Sequence, residues 1–250
     1  CMIKRSLVEN STAPECEAVI AHFDKLDVDP ETFSQSFPLT CPKVAPNVKQ
    51  IAFEAGDRLH APAIDDSHVF LVAAGSIREE VTFVDGRRSI SRFLFRGDRL
   101  FDSEETRSVQ YFAMDTGMFY RVPLTALRKC ECASVPPEVW LTCEEHRRID
   151  SFARHALLLG CYTATEKVAA FLHGLVMKLK AGDETCPVIR LPMRRDEIAD
   201  FLGLKAETVS RQLTSLRKQG ILGLPKPGEI VIRDRDRLEA LIPAVVESKK

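Results

Sequence analysis

Long apolar runs are missing from this 250-residue chain. Nothing approaches the roughly 20 consecutive apolar residues of a membrane-spanning helix, and the first residues lack the apolar core of an export signal. The chain therefore reads as cytoplasmic, with no membrane partner. Clustered metal ligands are missing too. The six histidines (His22, His60, His68, His146, His155 and His173) are scattered, and no His-x-His occurs. That removes the ligand pair a cupin-like metalloenzyme would need, so no metal or other cofactor is expected. Eight cysteines in such a chain read as free thiols rather than a disulfide framework; Cys1, which precedes Met2, carries no weight. Net charge is also missing. The formal value is −1, which taken alone argues against a nucleic-acid partner.

The distribution of charge points the other way. Residues 163–238 hold 14 Lys and Arg against 10 Asp and Glu, an excess of four positive charges, which leaves five negative charges on the remainder. Within the basic part, residues 195–214 read as a helix-turn-helix. Ile198 and Leu202 give a short helix one apolar face, Gly203 supplies a turn, and Val209, Leu213 and Leu216 recur at i, i+4, i+7. Glu207, Ser210 and Arg211 fall together on the opposite edge. An Arg there can bond both O6 and N7 of guanine, and a carboxylate can accept from N4 of its paired cytosine. Lys205 and Thr208 join them as DNA-contact candidates. A plain solvated face would also be charged; the glycine turn and the paired apolar faces favour the DNA reading.

Composition divides the rest of the chain. Residues 1–45 are polar and proline-containing, an irregular extension with one candidate helix over 15–26. Residues 46–135 carry short apolar segments between Gly56, Gly75, Gly86 and Gly97, with Asp85-Gly86 as a hairpin signal, and predict an antiparallel β-roll or barrel. After Pro136-Pro137, residues 136–160 predict a long helix whose Val139, Cys143, Ile149, Phe152, Ala153, Ala156 and Leu157 form an uneven stripe suited to a symmetry mate. Gly160 is expected to break it. Thr163 and Glu166 then form a capping box that opens an amphipathic helix with Val168, Phe171, Leu172, Leu175 and Val176 inward. Residues 221–232 read as a β-hairpin wing, so 163–238 form a winged helix-turn-helix unit and the fold class is α+β.

This order of parts, with Thr163-Ala-Thr-Glu-Lys-Val-Ala-Ala-Phe-Leu172 and Glu207-Thr-Val-Ser-Arg211, resembles the cyclic AMP receptor/fumarate-nitrate reductase regulator (CRP/FNR) superfamily over about residues 48–238, and its FixK-like branch most. The resemblance implies a cyclic-nucleotide-binding-like roll, a dimerisation helix and a homodimer. It further implies double-stranded DNA and RNA polymerase as partners, transcription activation, and an inverted repeat of the form TTGAT-N4-ATCAA. It places Arg211 on the guanine, Glu207 on the paired cytosine and Ser210 on a neighbouring thymine. Relatives usually have Ser or Thr at the position of Lys205 to cap the recognition helix. A missing cap costs about 1 kcal/mol, and a Lys offsets this through a phosphate contact.

The sensory half departs from the resemblance. Cyclic-nucleotide members hold ribose and phosphate with a Gly-Glu-x-x-Leu segment and an Arg-Ser pair. Here Arg107-Ser108 is present, the Gly-Glu is not, and the connection from Gly97 to Arg107 is shortened. Cyclic AMP and cyclic GMP are therefore not expected to bind, and Arg107 reads as a roll residue. Oxygen-sensing members hold a [4Fe–4S] cluster with four converging thiolates. Cys16 and Cys41 lie far apart here, and Met118-Phe-Tyr120 stands where the roll cysteine would fall, so an iron–sulfur centre is not expected, nor is haem. Three inputs remain open. Cys130, Cys132 and Cys143 could form a redox switch beside Arg128 and Lys129. Phe93, Phe95, Phe101, Tyr111, Phe112, Phe119 and Tyr120 could line a roll pocket for a small aromatic effector, with Arg107 beside it. Control through the protein's own synthesis, with no effector, is the third.

Overall fold

A computed structural model describes residues 41–59, 67–100, 109–131, 136–179 and 188–244. The candidate helix over 15–26 lies outside them, as do Phe101, Arg107, Ser108 and Cys132. Two four-stranded antiparallel sheets face each other across an aromatic core. One has the order β1 (Lys49–Phe53), β8 (Gly117–Pro123), β3 (His68–Ala74), β6 (Arg99–Leu100). The other runs β2 (Arg58–Leu59), β7 (Val109–Ala113), β4 (Ile77–Thr82), β5 (Arg88–Leu94). Phe53, Phe70, Ile77, Leu94, Leu100 and Phe119 fill the space between them. The β4–β5 connection turns through Gly86 at φ 82°, as the Asp85-Gly86 pair implied.

Both outer faces of this roll are covered, by different partners. On β3, Phe70 and Val72 point into the roll, whereas Val69 and Leu71 point out, the period-2 alternation of a strand. The outward pair packs with Cys41, Val122, Leu127 of α1 (Leu124–Leu127), Cys130 and the fully buried Trp140. Trp140 lies in the first turn of α2 (Pro137–Cys161), which starts with proline at its first position. This tryptophan anchors the long helix to the roll, a role that nothing in its local sequence marks.

The other sheet shows a break in the alternation. Glu79 pairs with Arg92 and Glu80 with Ile90, so Ser91 is an extra residue in β5. The bulge brings Ile90 and Phe93, three residues apart, onto the same outer face, where both pack against the C-terminal helical unit. Phe93 meets Phe171 of α3 (Ala164–Leu179) at 6.0 Å and Phe201 of α4 (Arg195–Leu202) at 5.2 Å. Among the described residues the candidate lining of an effector pocket does not come together. Among the described ones, Phe93 and Phe95 face the helical unit, Tyr111 and Phe119 face the roll core, and Tyr120 packs toward Trp140. Phe112 lies beneath the Arg78 guanidinium at 4.8 Å.

Three further expectations are refined. α2 does not stop at Gly160 but runs to Cys161, and the chain turns extended at Tyr162 (φ −90°, ψ 142°). The stop comes from the next helix: Thr163 N–H donates to the Glu166 carboxylate at 2.7 Å, the capping box read from the sequence. The α2 stripe also divides. Cys143 is buried with Trp140, Glu144 and Leu158, while Ile149, Phe152, Ala153, Ala156 and Leu157 are exposed on the opposite side. The wing gains a strand: β10 (Leu222–Gly223) and β11 (Glu229–Ile232) are joined by β9 (Val188–Arg190) in the order β10-β11-β9. α6 (Arg235–Glu239) closes the described chain behind α3.

Two contacts make testable statements about stability. Gly117 sits where β8 passes β1 and β3; an added Cβ would lie 2.2 Å from the Ala74 carbonyl oxygen and 2.7 Å from Phe53 Cζ. Gly117→Ala is expected to cost upwards of about 3 kcal/mol, because backbone must move. Gly86→Ala, with open space around it, should cost only the about 1–2 kcal/mol of a left-handed residue. Urea unfolding curves compare the two, and equal losses would refute the crowding argument. The second contact joins α2 to α4. His155 stacks on Phe201 at 4.3 Å, and its Nε2–H donates to the Phe201 carbonyl at 2.7 Å. Burial lowers its pKa below the ordinary 6.5, helped by the charge on Lys167 and opposed by that carbonyl. The folded state thus favours neutral His155. Its contribution is fully present above pH 6.5 and is lost as pH falls through that value toward the folded pKa. Between pH 7.5 and 5.5 the wild type should lose more stability than His155→Phe; identical losses would remove His155 from the account.

Candidate nucleic-acid interface

The helix-turn-helix is built locally from its ends. α4 starts where Glu197 accepts the Arg194 backbone N–H at 2.7 Å, with Asp196 and Glu197 in the first turn, where the helix dipole favours negative charge. It ends at Gly203, which adopts φ 60°, ψ 41° and donates its N–H to Ala199. An added Cβ at Gly203 would lie 3.1 Å from Leu159 of α2, so both the conformation and the space favour glycine. α5 (Ala206–Lys218) follows after two residues. Its N-cap, Lys205, is extended and makes no side-chain cap, as its chemistry demands. Arg217 and Lys218 complement the dipole in the last turn, and Arg237 donates to the Gln219 carbonyl at 3.1 Å just beyond it.

The apolar face of α5 is buried as its periodicity implied: Val209, Leu213 and Leu216 are 2% exposed or less. They join Ile198, Ala199 and Leu202 of α4 and the inner face of α3, so the three helices share one core. Glu207, Ser210 and Arg211 are exposed on the other edge, Lys205 is exposed at the helix start, and Thr208 is half-buried. An open shelf of about 370 Å³ runs along this edge, lined by Ser210, Arg211, Thr214, Ser215 and Lys218. The Thr214 hydroxyl donates to the Ser210 carbonyl at 2.9 Å, and Thr165 at the start of α3 donates to Gln212 at 2.9 Å. The second bond sets the angle between the recognition helix and its support. The wing turn presents Lys226, also exposed, between β10 and β11. A protruding helix edge with one carboxylate, one hydroxyl and one guanidinium, flanked by lysines, is suited to base edges and phosphates rather than to a buried small molecule.

The candidates for an input fare differently. Tyr120 is half-buried in β8 and packs with the Trp140 cluster. Cys130 and Cys143 are buried, a setting in which thiols are inert, so these two do not make the exposed redox pair that a switch would need. Among the described cysteines, Cys161 is the exposed one, at the end of α2, and nothing in its sequence context singles it out. Among the described residues no group of three or more His, Cys, Asp or Glu is placed to hold a metal ion, and no helix is long and apolar enough to cross a membrane.

The charges behind α4 are likewise unmarked in the sequence. Arg78 and Arg88 project from β4 and β5 toward its carboxylates, and burial works against the Arg88 charge. The hydrogen bond and attraction of Asp200, with Glu80 and Glu197, outweigh that burial and raise the Arg88 pKa. Asp196, bonded to the Arg194 side chain, is held below the usual carboxylate range. Alternation and register put Arg78, Glu80 and Arg88 on one outer face of β4 and β5, but which helix that face meets has no signature in a single sequence.

Residues 166–241 match the family model of the Crp-like helix-turn-helix domain. The nitrogen fixation regulation protein FixK of Azorhizobium caulinodans is 33% identical over 188 residues, 70% of this chain and 71% of that one. A probable transcriptional activator of Rhizobium leguminosarum bv. viciae is 33% identical over 196 residues, 76% and 80% of the two chains. The solved structure of FixK2 from Bradyrhizobium japonicum superposes with a TM-score of 0.69 at 30% identity, covering 80% of this chain and 99% of that one. An exposed recognition edge on a winged helix-turn-helix, a β-roll before it and relatives of this extent lead to one conclusion: the chain belongs to the CRP/FNR family of DNA-binding transcription regulators, in its FixK branch, and is not an enzyme.

Proposed function

We propose that the chain binds, as a homodimer, an inverted repeat of the form TTGAT-N4-ATCAA and activates transcription there with RNA polymerase, without a cyclic nucleotide. The observation that carries this reading is the exposure of Glu207, Ser210 and Arg211 on the edge of α5 opposite its buried one. Arg211 donates to O6 and N7 of the guanine, Glu207 accepts from the paired cytosine, and Ser210 lies against the adjoining thymine. Lys205 contacts phosphate, which offsets its failure as a cap, and Thr208 sits beside it at the groove edge. The labour divides as roll (46–135), dimerisation helix (136–160) and DNA-reading unit (163–238). The name of the Rhizobium leguminosarum relative supports activation rather than repression.

Dimerisation rests on α2. Its buried face is taken by Trp140 against the roll and by Leu158 in the core of the helical unit, and Ile149, Phe152, Ala153, Ala156 and Leu157 stand exposed at i, i+3, i+4, i+7, i+8 on the other side. A two-fold axis along this stripe covers it with its own copy, and it lets two recognition helices enter successive major grooves about 34 Å apart.

Arg211→Ala should cost about 1–3 kcal/mol on the inverted repeat and relax preference mainly at its G·C pair. Lys205→Ala should weaken all duplexes alike and reduce the salt slope by about one ion. Fluorescence anisotropy against the repeat, single-base variants and a random duplex separates the two. Equal losses of Arg211→Ala on specific and random DNA would make Arg211 a backbone contact. Ile149→Asp should give monomers by sedimentation and weak operator binding, and an unchanged dimer would move the interface off α2.

A further inference from the structure

α4 carries three carboxylates, Asp196, Glu197 and Asp200, spaced so that they share one side of the helix. In a helix-turn-helix the first helix crosses the phosphate backbone, where uncompensated carboxylates would repel the DNA. Each of the three is met by an arginine. Asp196 is bonded to Arg194 of its own segment at 2.9 Å. The other two are met from the roll. Arg78 Nη1 donates to Glu197 Oε1 at 2.9 Å, and Arg88 Nε donates to Asp200 Oδ2 at 2.9 Å, with its Nη2 on the same oxygen. Glu80 lies between the two arginines, 2.7 Å from Arg78 Nε and 3.8 Å from Arg88 Nη1, and is itself buried. It holds both guanidinium groups from within the roll. Around the ionic contacts, Ile90 and Phe93 pack against the core of the helical unit. A second tie, Lys178 to Asp98 at 2.8 Å, joins α3 to the β5–β6 turn.

We propose that Arg78 and Arg88 of the roll are positioning residues for DNA recognition: as an arginine–carboxylate latch on α4 they hold the helix-turn-helix in its reading position, so that the roll sets operator affinity without touching DNA. This rests on the DNA-reading role of α5 given above. Three observations carry it. With the latch closed, Glu207, Ser210 and Arg211 stay exposed, so docking leaves the reading edge free. It neutralises carboxylates of the helix nearest the phosphates. Every group in it belongs to the chain. Removing Arg78 strips Glu80 and Glu197 of their closest partner, and removing Arg88 strips Asp200 of its partner, which favours separation of the two units.

Charge reversal tests the latch against mere long-range charge. If overall charge near the DNA governed affinity, Arg88→Asp would weaken operator binding and Asp200→Arg would strengthen it. A latch requires both single variants to weaken it, by about ten-fold or more, because each places like charges face to face, and requires the double variant to recover most of the loss. Arg88→Gln, a milder change that keeps the fold, should fall between wild type and Arg88→Asp. In each variant, amide exchange of 90–94 and 197–202 should quicken with the loss of affinity and slow again in the double variant. Single variants that bind the operator as tightly as wild type or tighter, or a double variant without recovery, would overturn the latch. Absence of specific binding by the wild-type chain would instead remove the DNA-reading assignment on which it rests.

Discussion

The docking of Phe201 into the cleft between Phe93, Phe171 and His155 organises the molecule, because it brings three separately formed pieces to one point. Phe93 comes from the roll, His155 from the long helix, and Phe171 from the first helix of the DNA-reading unit. Phe201 itself lies one residue before the end of α4, whose glycine turn sets the direction of α5. The orientation of the recognition edge therefore follows from how this ring is held. Burying several aromatic side chains in one cluster supplies several kcal/mol, and the surrounding charges then decide among the orientations that burial alone would allow.

Charge around this contact is arranged in layers. Within the roll, Glu79 is bonded to Ser91 at 2.6 Å and to Tyr111 at 3.1 Å, which satisfies a carboxylate that is 1% exposed. One residue further on, Glu80 points the other way and serves the interface. Adjacent glutamates with opposite destinations are an ordinary consequence of strand alternation. What is unusual is that both are buried, and each is tolerated because it has partners on its own side: Ser91 and Tyr111 for Glu79, Arg78 and Arg88 for Glu80. Glu144 in α2 is similar: burial pushes its carboxyl up, against the pull of Arg147, bonded at 2.6 Å. Paired in this way, buried carboxylates cost far less than isolated ones would.

Helical periodicity made the DNA-reading unit legible from the chain alone. Val209, Leu213 and Leu216 can share a face only in a helix, and Gly203 marks the one backbone conformation that the turn requires. The Thr163–Glu166 cap was legible for the same reason, since both partners are local. The roll was harder. Period-2 alternation says which residues share a face but not what covers that face, so Phe93, Phe119 and Tyr120 looked like one set and proved to serve three surfaces. The Ser91 bulge erased even the alternation. Trp140 gave no signal because its partners, Cys41 and Val122 among them, are distant in sequence. The end of α2 was legible to within one residue, since the helix stops at Cys161, just past Gly160.

Glu197 divides its two oxygens between neighbours of different kinds. One accepts the backbone N–H that starts α4, and the other accepts Arg78 from the roll. The first turn of the DNA-reading helix is thus completed by a bond to the other half of the molecule. For the engineering of chimeric regulators, this means that residues 163–238 are not an interchangeable cassette. A foreign sensor joined before Tyr162 would have to present two guanidinium groups at the spacing of Arg78 and Arg88, and an aromatic ring where Phe93 stands. Without them it would leave α4 with an exposed aromatic flank and a row of unpaired carboxylates.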